Sequence, residues 1–598
     1  MLQLMRYLKP YGFTIVFIIV LILLQSLADL YLPTLMSDIV NNGIVQQNTG
    51  YIWKMGGFML AVSVFGTIFS VLASLYASKV SSAFGKVVRQ RVFSKVESFS
   101  IQEFDKLGTA SLITRTTNDI NQVQQVILMI LRMMVMAPLM CIGGIIMALY
   151  KDAQLSLVLL VVIPILIITI LLISRVAMPY FKIMQKKLDR INLVLREGLT
   201  GIRVIRAFNR TAYEAERFTD ANKDLMNTAV KVNQIMAFMM PLMMLLMNLC
   251  VIAIVWFGSF RIDMGEMMIG DLMAFIQYAM QIMFSLLMMS MMFVMIPRAQ
   301  ASAVRINEVL NTEPTVVDIA TAQSNDSDKA NLHSYQPSSA VEQQSRAAVR
   351  GEVILSFDNV SYTYPGAEKP AVDKLSFECR SGEVTAIIGG TGSGKSTIIQ
   401  LIERFFDCNE GGISFKDIEL KDWELHALRN NIALVPQKTT IFSGTVADNI
   451  RYGKDEATDE EIKQAATVAQ ALPFIERMEQ GFDTVLAQGG TNISGGQKQR
   501  LSIARALVRK PDLYLFDDSF SALDYKTDSA LRAALKTYVG DAAMIVVAQR
   551  VSTVMNAEQI IVLDEGVIVG KGTHEQLLQS CDVYREIVQS QLSEEESA

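Results

Sequence analysis

"VTAIIGGTGSGKST", residues 384–397, sets a β-rich apolar run ahead of Gly389-x-x-x-x-Gly394-Lys395-Ser396, with a helical pattern after it. The spacing has a physical reason. In Gly389, Gly390, Thr391, Gly392, Ser393 and Gly394 the glycines let backbone N–H groups turn inward around phosphate oxygens. Lys395 reaches the β- and γ-phosphates, Ser396 is placed to bind Mg²⁺, and Thr397 continues into a helix whose N-terminus favours the negative charge. Strand, loop and helix in this order read as a site for the phosphates of a nucleotide.

Downstream, "LYLFDD" (513–518) is a hydrophobic strand ending in Asp517, placed to hold the Mg²⁺ shell. Between the two stretches lies "NISGGQKQRLSIARAL" (492–507), in which Ser494, Gly495, Gly496 and Gln497 open an amphipathic helix. That makes a second anion-binding helix start. Two phosphate-reading elements are more than a simple phosphate-loop enzyme needs. From Gly351 onward short apolar strands alternate with amphipathic helices, the pattern of an α/β domain with a largely parallel sheet.

The rest of the chain has another solvent. Its 598 residues exceed one ordinary core, 51% are hydrophobic, and 19% are charged, against about 25% for a soluble domain. Six apolar stretches near 12–35, 55–78, 128–149, 155–176, 235–259 and 271–296 are each long enough to cross a bilayer. The first is longer than a signal-peptide core and has no small-residue cleavage site, so it reads as a retained span. Lys and Arg crowd the two long connections (Lys79 to Arg115, Lys182 to Arg210), whereas the short ones carry little beyond Lys54, Lys151 and Arg261. Positive charge marks the cytoplasmic side, so both termini and both long connections are expected there. Apolar periodicity in the long connections (Val88, Val92, Val96; Leu188, Ile191, Leu195) extends the spanning helices into the cytosol. The expected domains are a membrane domain over 1–312, a polar linker over 313–350 with its Ser/Ala/Gln-rich part at 318–349, and a nucleotide-binding domain over 351–598. A net charge of −5 with no polybasic footprint disfavours nucleic acid as a partner. The five scattered cysteines read as buried thiols, not as disulfides or zinc ligands.

Gly389 to Ser396, Gln437 in "LVPQ", Ser494 to Gln497, Asp517, and "SALD" ending at Asp524 resemble the Walker A, Q-loop, signature, Walker B and D-loop of ATP-binding cassette (ABC) transporters. Tyr364 falls where that family stacks adenine on an aromatic ring, and 104–120 and 196–210 are similar to the coupling regions of exporters with six spans per half. The resemblance implies an α-helical six-span transmembrane domain followed by an α/β phosphate-loop ATPase domain of the ABC type. It implies ATP, with Mg²⁺ held by Ser396, Gln437 and Asp517. In the family two cassettes meet head to tail, each ATP lying between one Walker A loop and the other signature, so one chain is a half-transporter that must dimerise.

Two positions depart from the pattern. The family's general base is the Glu after the Walker B Asp, and a histidine about thirty residues later contacts the γ-phosphate; here these positions are Asp518 and Gln549. Removing one methylene withdraws the carboxylate by about 1.5 Å, and Gln, unlike His, cannot become cationic. "TVLAQGGTN" also lacks the acidic residue common before the signature, with Ala487 and Gln488 covering the place. The chain therefore resembles the degenerate subunit of a heterodimeric bacterial multidrug exporter in the inner membrane, paired with a half-transporter that keeps the Glu and the His. A homodimeric lipid or peptide exporter and a nucleotide-gated regulator or channel are the alternatives. For hydrophobic or amphipathic cargo, the candidate cavity residues are the intramembrane polar groups Gln25, Asp29, Arg132, Asn248, Gln277 and Gln281, set among clustered methionines in the fifth and sixth spans.

Overall fold

A computed structural model describes residues 1–318 and 349–595. The expected linker falls mostly outside the described residues. The chain forms two compact units: Met1–Glu97 with Gly108–Thr312, and Ser98–Leu107 with the residues from Glu313 onward.

The first unit consists of α1 (Gln3–Ile44), α2 (Thr49–Glu97), α3 (Thr109–Lys151), α4 (Ser156–Thr200), α5 (Thr211–Asp263) and α6 (Ile269–Asn311). At 42 to 53 residues each, these helices are about 60–80 Å long, roughly twice the hydrocarbon thickness. Each contains one of the six apolar stretches, and the surplus length is the charged, periodic sequence beside it. Inward-facing Leu30, Met140, Leu159, Phe275, Tyr278 and Ile282 form a buried core, whereas Leu160, Leu172 and Ile252 are exposed. A large exposed apolar area on helices of this length suits lipid.

Ion pairs tie the helices at both ends. Lys151 contacts Asp271 at 2.6 Å, Ser37 donates to the same carboxylate at 2.7 Å, and Arg261 contacts Asp152 at 2.8 Å. At the opposite end Arg115 contacts Glu308 at 2.8 Å, and Arg305 grips the buried Asp119 with Nε at 2.8 Å and Nη2 at 2.5 Å.

The second unit has two main sheets and a short antiparallel ribbon of β7 (Gly444–Thr445) and β8 (Val485–Leu486). β1 (Val353–Tyr362), β2 (Val372–Arg380), β4 (Glu410–Phe415) and β5 (Ile418–Glu419) form an antiparallel sheet in the order β2-β1-β4-β5. The central sheet runs β12-β11-β3-β10-β9-β6, built from β3 (Val384–Gly389), β6 (Ile432–Val435), β9 (Leu513–Asp517), β10 (Ala543–Val547), β11 (Gln559–Asp564) and β12 (Val567–Gly572). All its neighbours are parallel except the edge pair β11-β12. Both faces are covered, which is why β9 reads as an unbroken apolar run. Leu513 and Leu515 point into one core with Phe357, Phe415 and Trp423, while Tyr514 and Phe516 point into the other with Leu501 and Ala504. The short helix Ile101–Leu107, from the first long connection, belongs to this unit. There Ile101 packs on the apolar core and buried Glu103 accepts bonds from the Ser100 and Thr315 backbone N–H groups at 2.9 and 3.2 Å.

Candidate nucleotide site

Because β3, β6, β9 and β10 are parallel, their carboxyl ends share one edge, the place where α/β sheets bind ligands. Four distant motifs meet there: the loop after β3, Gln437 after β6, Asp517 and Asp518 at the end of β9, and Gln549 after β10. Backbone bonds stitch the edge together, with Asp518 N–H donating to Val547 O at 2.9 Å and Ser519 Oγ donating to Val435 O at 2.9 Å.

The loop is held open by close backbone approach. A Cβ on Gly389 would stand 2.1 Å from Leu563 O, and Gly394 has φ +95° where it caps α7 (Lys395–Ile402). A Cβ at Gly390 would meet nothing within 4 Å, so the mouth of the cradle is free space. Lys395 Nζ lies in the loop, donating to Gly389 O at 2.8 Å and Gly390 O at 2.5 Å. Burial pulls the Lys395 ammonium below its ordinary pKa, and the carboxylates of Asp518 and Asp517 oppose that pull. Burial raises the Asp517 carboxyl, against a hydrogen bond from Ser396 that lowers it. Ser396 hydroxyl and Asp517 carboxylate are thus adjacent hard oxygen donors. They fit Mg²⁺, which takes one or two protein oxygens and fills its shell with phosphate and water. Bound there with ATP, the ion would neutralise charge on the phosphates.

Asp518 is the convergence point. Its Oδ2 accepts from Gln437 Nε2 at 3.2 Å and from Gln549 Nε2 at 3.3 Å. The sequence names these glutamines as separate motifs, and the fold joins both to the shortened carboxylate. The backbone of Asp518 is left-handed, φ +45°, a conformation that short Asp tolerates better than most residues.

Tyr364 sits beside α7 with its hydroxyl donating to Gln400 Oε1 at 2.8 Å and near Thr397 Oγ1 at 3.2 Å. Edge contacts to Tyr362 and Phe406 fix its ring. Ser494 caps α8 (Gly495–Leu507) through a capping box with Gln497, and Ser494 and Gly495 are exposed. Asp524 caps α9 (Tyr525–Tyr538), accepting from Thr527 N–H at 3.0 Å and Thr527 Oγ1 at 2.7 Å; these bonds hold its carboxyl below the usual range. Both its oxygens are therefore engaged within the chain. Sequence reasoning missed Gln400, and it missed Thr439, which donates to buried Gln499 at 2.5 Å and links the Gln437 loop to α8.

In the helical unit, Gln25 donates to Asp29, and Gln281 Nε2 donates to Asp29 O at 3.3 Å, so three of the six polar candidates meet between α1 and α6. Arg132, Asn248 and Gln277 are exposed on α3, α5 and α6. Of the clustered methionines, Met243 and Met283 are core, and Met240, Met244 and Met280 are exposed.

Six spanning-length helices and a cassette that brings four of its nucleotide motifs to one sheet edge define an ATP-coupled membrane transporter. The comparisons agree. The chain matches the models for the ABC transporter transmembrane region over residues 15–286 and the ABC transporter over residues 372–521. It is 40% identical to an uncharacterized ABC transporter ATP-binding protein of Mycobacterium tuberculosis, covering 98% of this chain and 97% of that one. It is 39% identical to the uncharacterized ABC transporter ATP-binding protein YfiB of Bacillus subtilis, over 99% of each. With the ATP-dependent lipid A-core flippase of Salmonella typhimurium it shares 29% identity over 96% and 94% of the two chains. Its fold is that of a bacterial Atm1-family ABC exporter solved with ATP bound, at a TM-score of 0.78 and 23% identity over 97% and 98%. The chain belongs to the ABC transporter family and is a multi-pass membrane protein.

Proposed function

We propose that this chain is the catalytically weakened half of a heterodimeric exporter of hydrophobic or amphipathic compounds, set in a bacterial inner membrane with both termini cytoplasmic. One observation carries the reading: the carboxylate at the base position, Asp518, is one methylene short and is held by two carboxamides, Gln437 and Gln549. Neither donor can supply a positive charge to the γ-phosphate. The binding parts are intact, with Gly389–Gly394 cradling phosphates, Lys395 opposing their charge, Ser396 and Asp517 offering oxygens to Mg²⁺, and Tyr364 presenting a fixed ring to the base. This chain's signature, Ser494–Gln497, with Ser494 and Gly495 exposed, would complete the competent site on a partner that keeps Glu and His. The domains act as 1–312 for passage, 313–350 as connector and 351–598 as motor. Gln25, Asp29 and Gln281 are the cargo-facing polar group, suited to cationic amphiphiles, with Arg132, Asn248 and Gln277 as further lining.

The test is ATP turnover by purified chain, alone and after mixing with a second half-transporter that keeps both residues. The reading expects slow turnover alone and a gain of at least about tenfold with the partner. A rate that no partner changes would sink it. A second reading, a homodimeric lipid exporter, draws on the 29% likeness to a lipid A-core flippase; full turnover by the chain alone, stimulated by lipid, is its signature.

A further inference from the structure

The segment carrying Gln549 is held from two sides. Toward the sheet, the Gln549 amide reaches Asp518. From the other side comes the C-terminal helix α10 (Asp582–Glu595), whose Gln591 bridges the segment: Nε2 donates to Gln549 O at 2.7 Å, and Oε1 accepts from Val551 N–H at 2.7 Å. One side-chain amide thus pairs with the peptide groups on both sides of extended Arg550 (φ −97°, ψ 131°), as an adjacent strand would. The helix is well seated for this. Tyr584 and Val588 are buried in the apolar core, and Tyr584, Val588 and Gln591 recur at i, i+4 and i+7 on one face. Arg532, itself paired with Asp528 at 2.7 Å, donates to Ser552 O at 2.7 Å, so the segment just beyond Gln591's grip is tied to the helix that Asp524 caps.

We propose that Gln591 is a positioning residue for the γ-phosphate-sensing segment: by fixing the backbone on both sides of Arg550 it sets the reach of Gln549 toward Asp518 and couples the docking of α10 to nucleotide contact. This rests on the reading of Gln549 as the γ-phosphate-facing position. The pairing needs one donor and one acceptor at a fixed span. Gln591→Glu keeps the acceptor for Val551 but sets a carboxylate oxygen against Gln549 O, and Gln591→Asn is shorter by about 1.5 Å, so neither is equivalent.

The experiment uses the full chain in lipid nanodiscs with ATP and Mg²⁺. Gln591→Ala is expected to lower the turnover number about five- to tenfold with KM for ATP within about twofold. In a Gln549→Ala background the same substitution is expected to change nothing further. Amide exchange supplies a readout that does not need turnover: ATP should slow exchange at 549–553 and at 582–595 in the wild type, and Gln591→Ala should abolish the slowing at 582–595 while a fluorescent ATP analogue still binds. If Gln591→Ala lowers the melting temperature, Gln591→Glu serves in its place. An undiminished ATP effect on α10 in these variants, or a full loss of turnover that persists without Gln549, overturns the proposal. A wild-type turnover that no partner half-transporter changes counts against the proposed heterodimer alone, and the exchange result still decides the role of Gln591.

Discussion

Lengthening Asp518 to Glu tests what limits hydrolysis at this site. The added methylene carries the carboxylate about 1.5 Å outward, while its Oδ2 now stands 3.2 Å from Gln437 and 3.3 Å from Gln549. Both amides must yield, because unmoved they would come well inside hydrogen-bond distance. The φ of +45° at Asp518 also suits the short acid better than the longer one. A misplacement of about 1 Å can cost on the order of a hundredfold, which sets the ceiling on recovery. Asp518→Glu alone is expected to gain about three- to tenfold, since Gln549 still cannot become cationic, and Asp518→Glu with Gln549→His is expected to approach the hundredfold ceiling. The assay is phosphate release at saturating ATP from the full chain in nanodiscs, with Lys395→Ala added to each variant to set the baseline. A single Glu variant as fast as the double would remove Gln549 from the account. A double variant no faster than wild type would show that carboxylate length is not limiting.

Gly389→Ala puts a methyl group 2.1 Å from Leu563 O and should lower the melting temperature and abolish binding of a fluorescent ATP analogue, whereas Gly390→Ala, with nothing within 4 Å, should leave the melting temperature unchanged. Glu403, buried near Arg429 and Arg509, has its carboxyl pushed up to about 7 from 4.5 by burial, against the pull of the two guanidiniums. Its proton is thus bound more tightly in the folded state, so stability from this group falls as pH rises from 4.5 through 7, by about 3 kcal/mol at most. Glu403→Gln should therefore melt higher than wild type at pH 8 and match it near pH 5; a lower melting point at pH 8 would mean that the two arginines need the charge.

The parallel sheet explains why so much of the nucleotide site was legible. Each motif ends or follows an apolar strand, and parallel strands deliver their carboxyl ends to one edge, so Gly389, Gln437, Asp517 and Gln549 had to meet. The register of their side chains was not legible, because it depends on loops after β6 and β10 that carry no period. Nothing in "LVPQ" or "VVAQR" says that both amides end on one oxygen of Asp518. Asp524 shows the opposite case. The local sequence Asp-x-x-Thr is a helix N-cap, and the structure engages both oxygens that way. Among the membrane residues, Gln25 and Asp29 are an i, i+4 pair visible in the sequence, whereas Gln281 joins them only through the pairing of α1 with α6.

Gln591 had no signal at all, lying in a helix without a motif, and its bonds are to backbone, which any residue at 549 and any but proline at 551 would offer. That difference has a consequence for Asp518. A carboxylate shortened by one methylene loses reach, and the loss could in principle be recovered by moving the backbone. Here the backbone is pinned, by Asp518 N–H on Val547 O and by Gln591 on both sides of Arg550. The frame around Asp518 holds its place, so on the proposed reading the shortfall is met by a longer side chain or by a competent partner site.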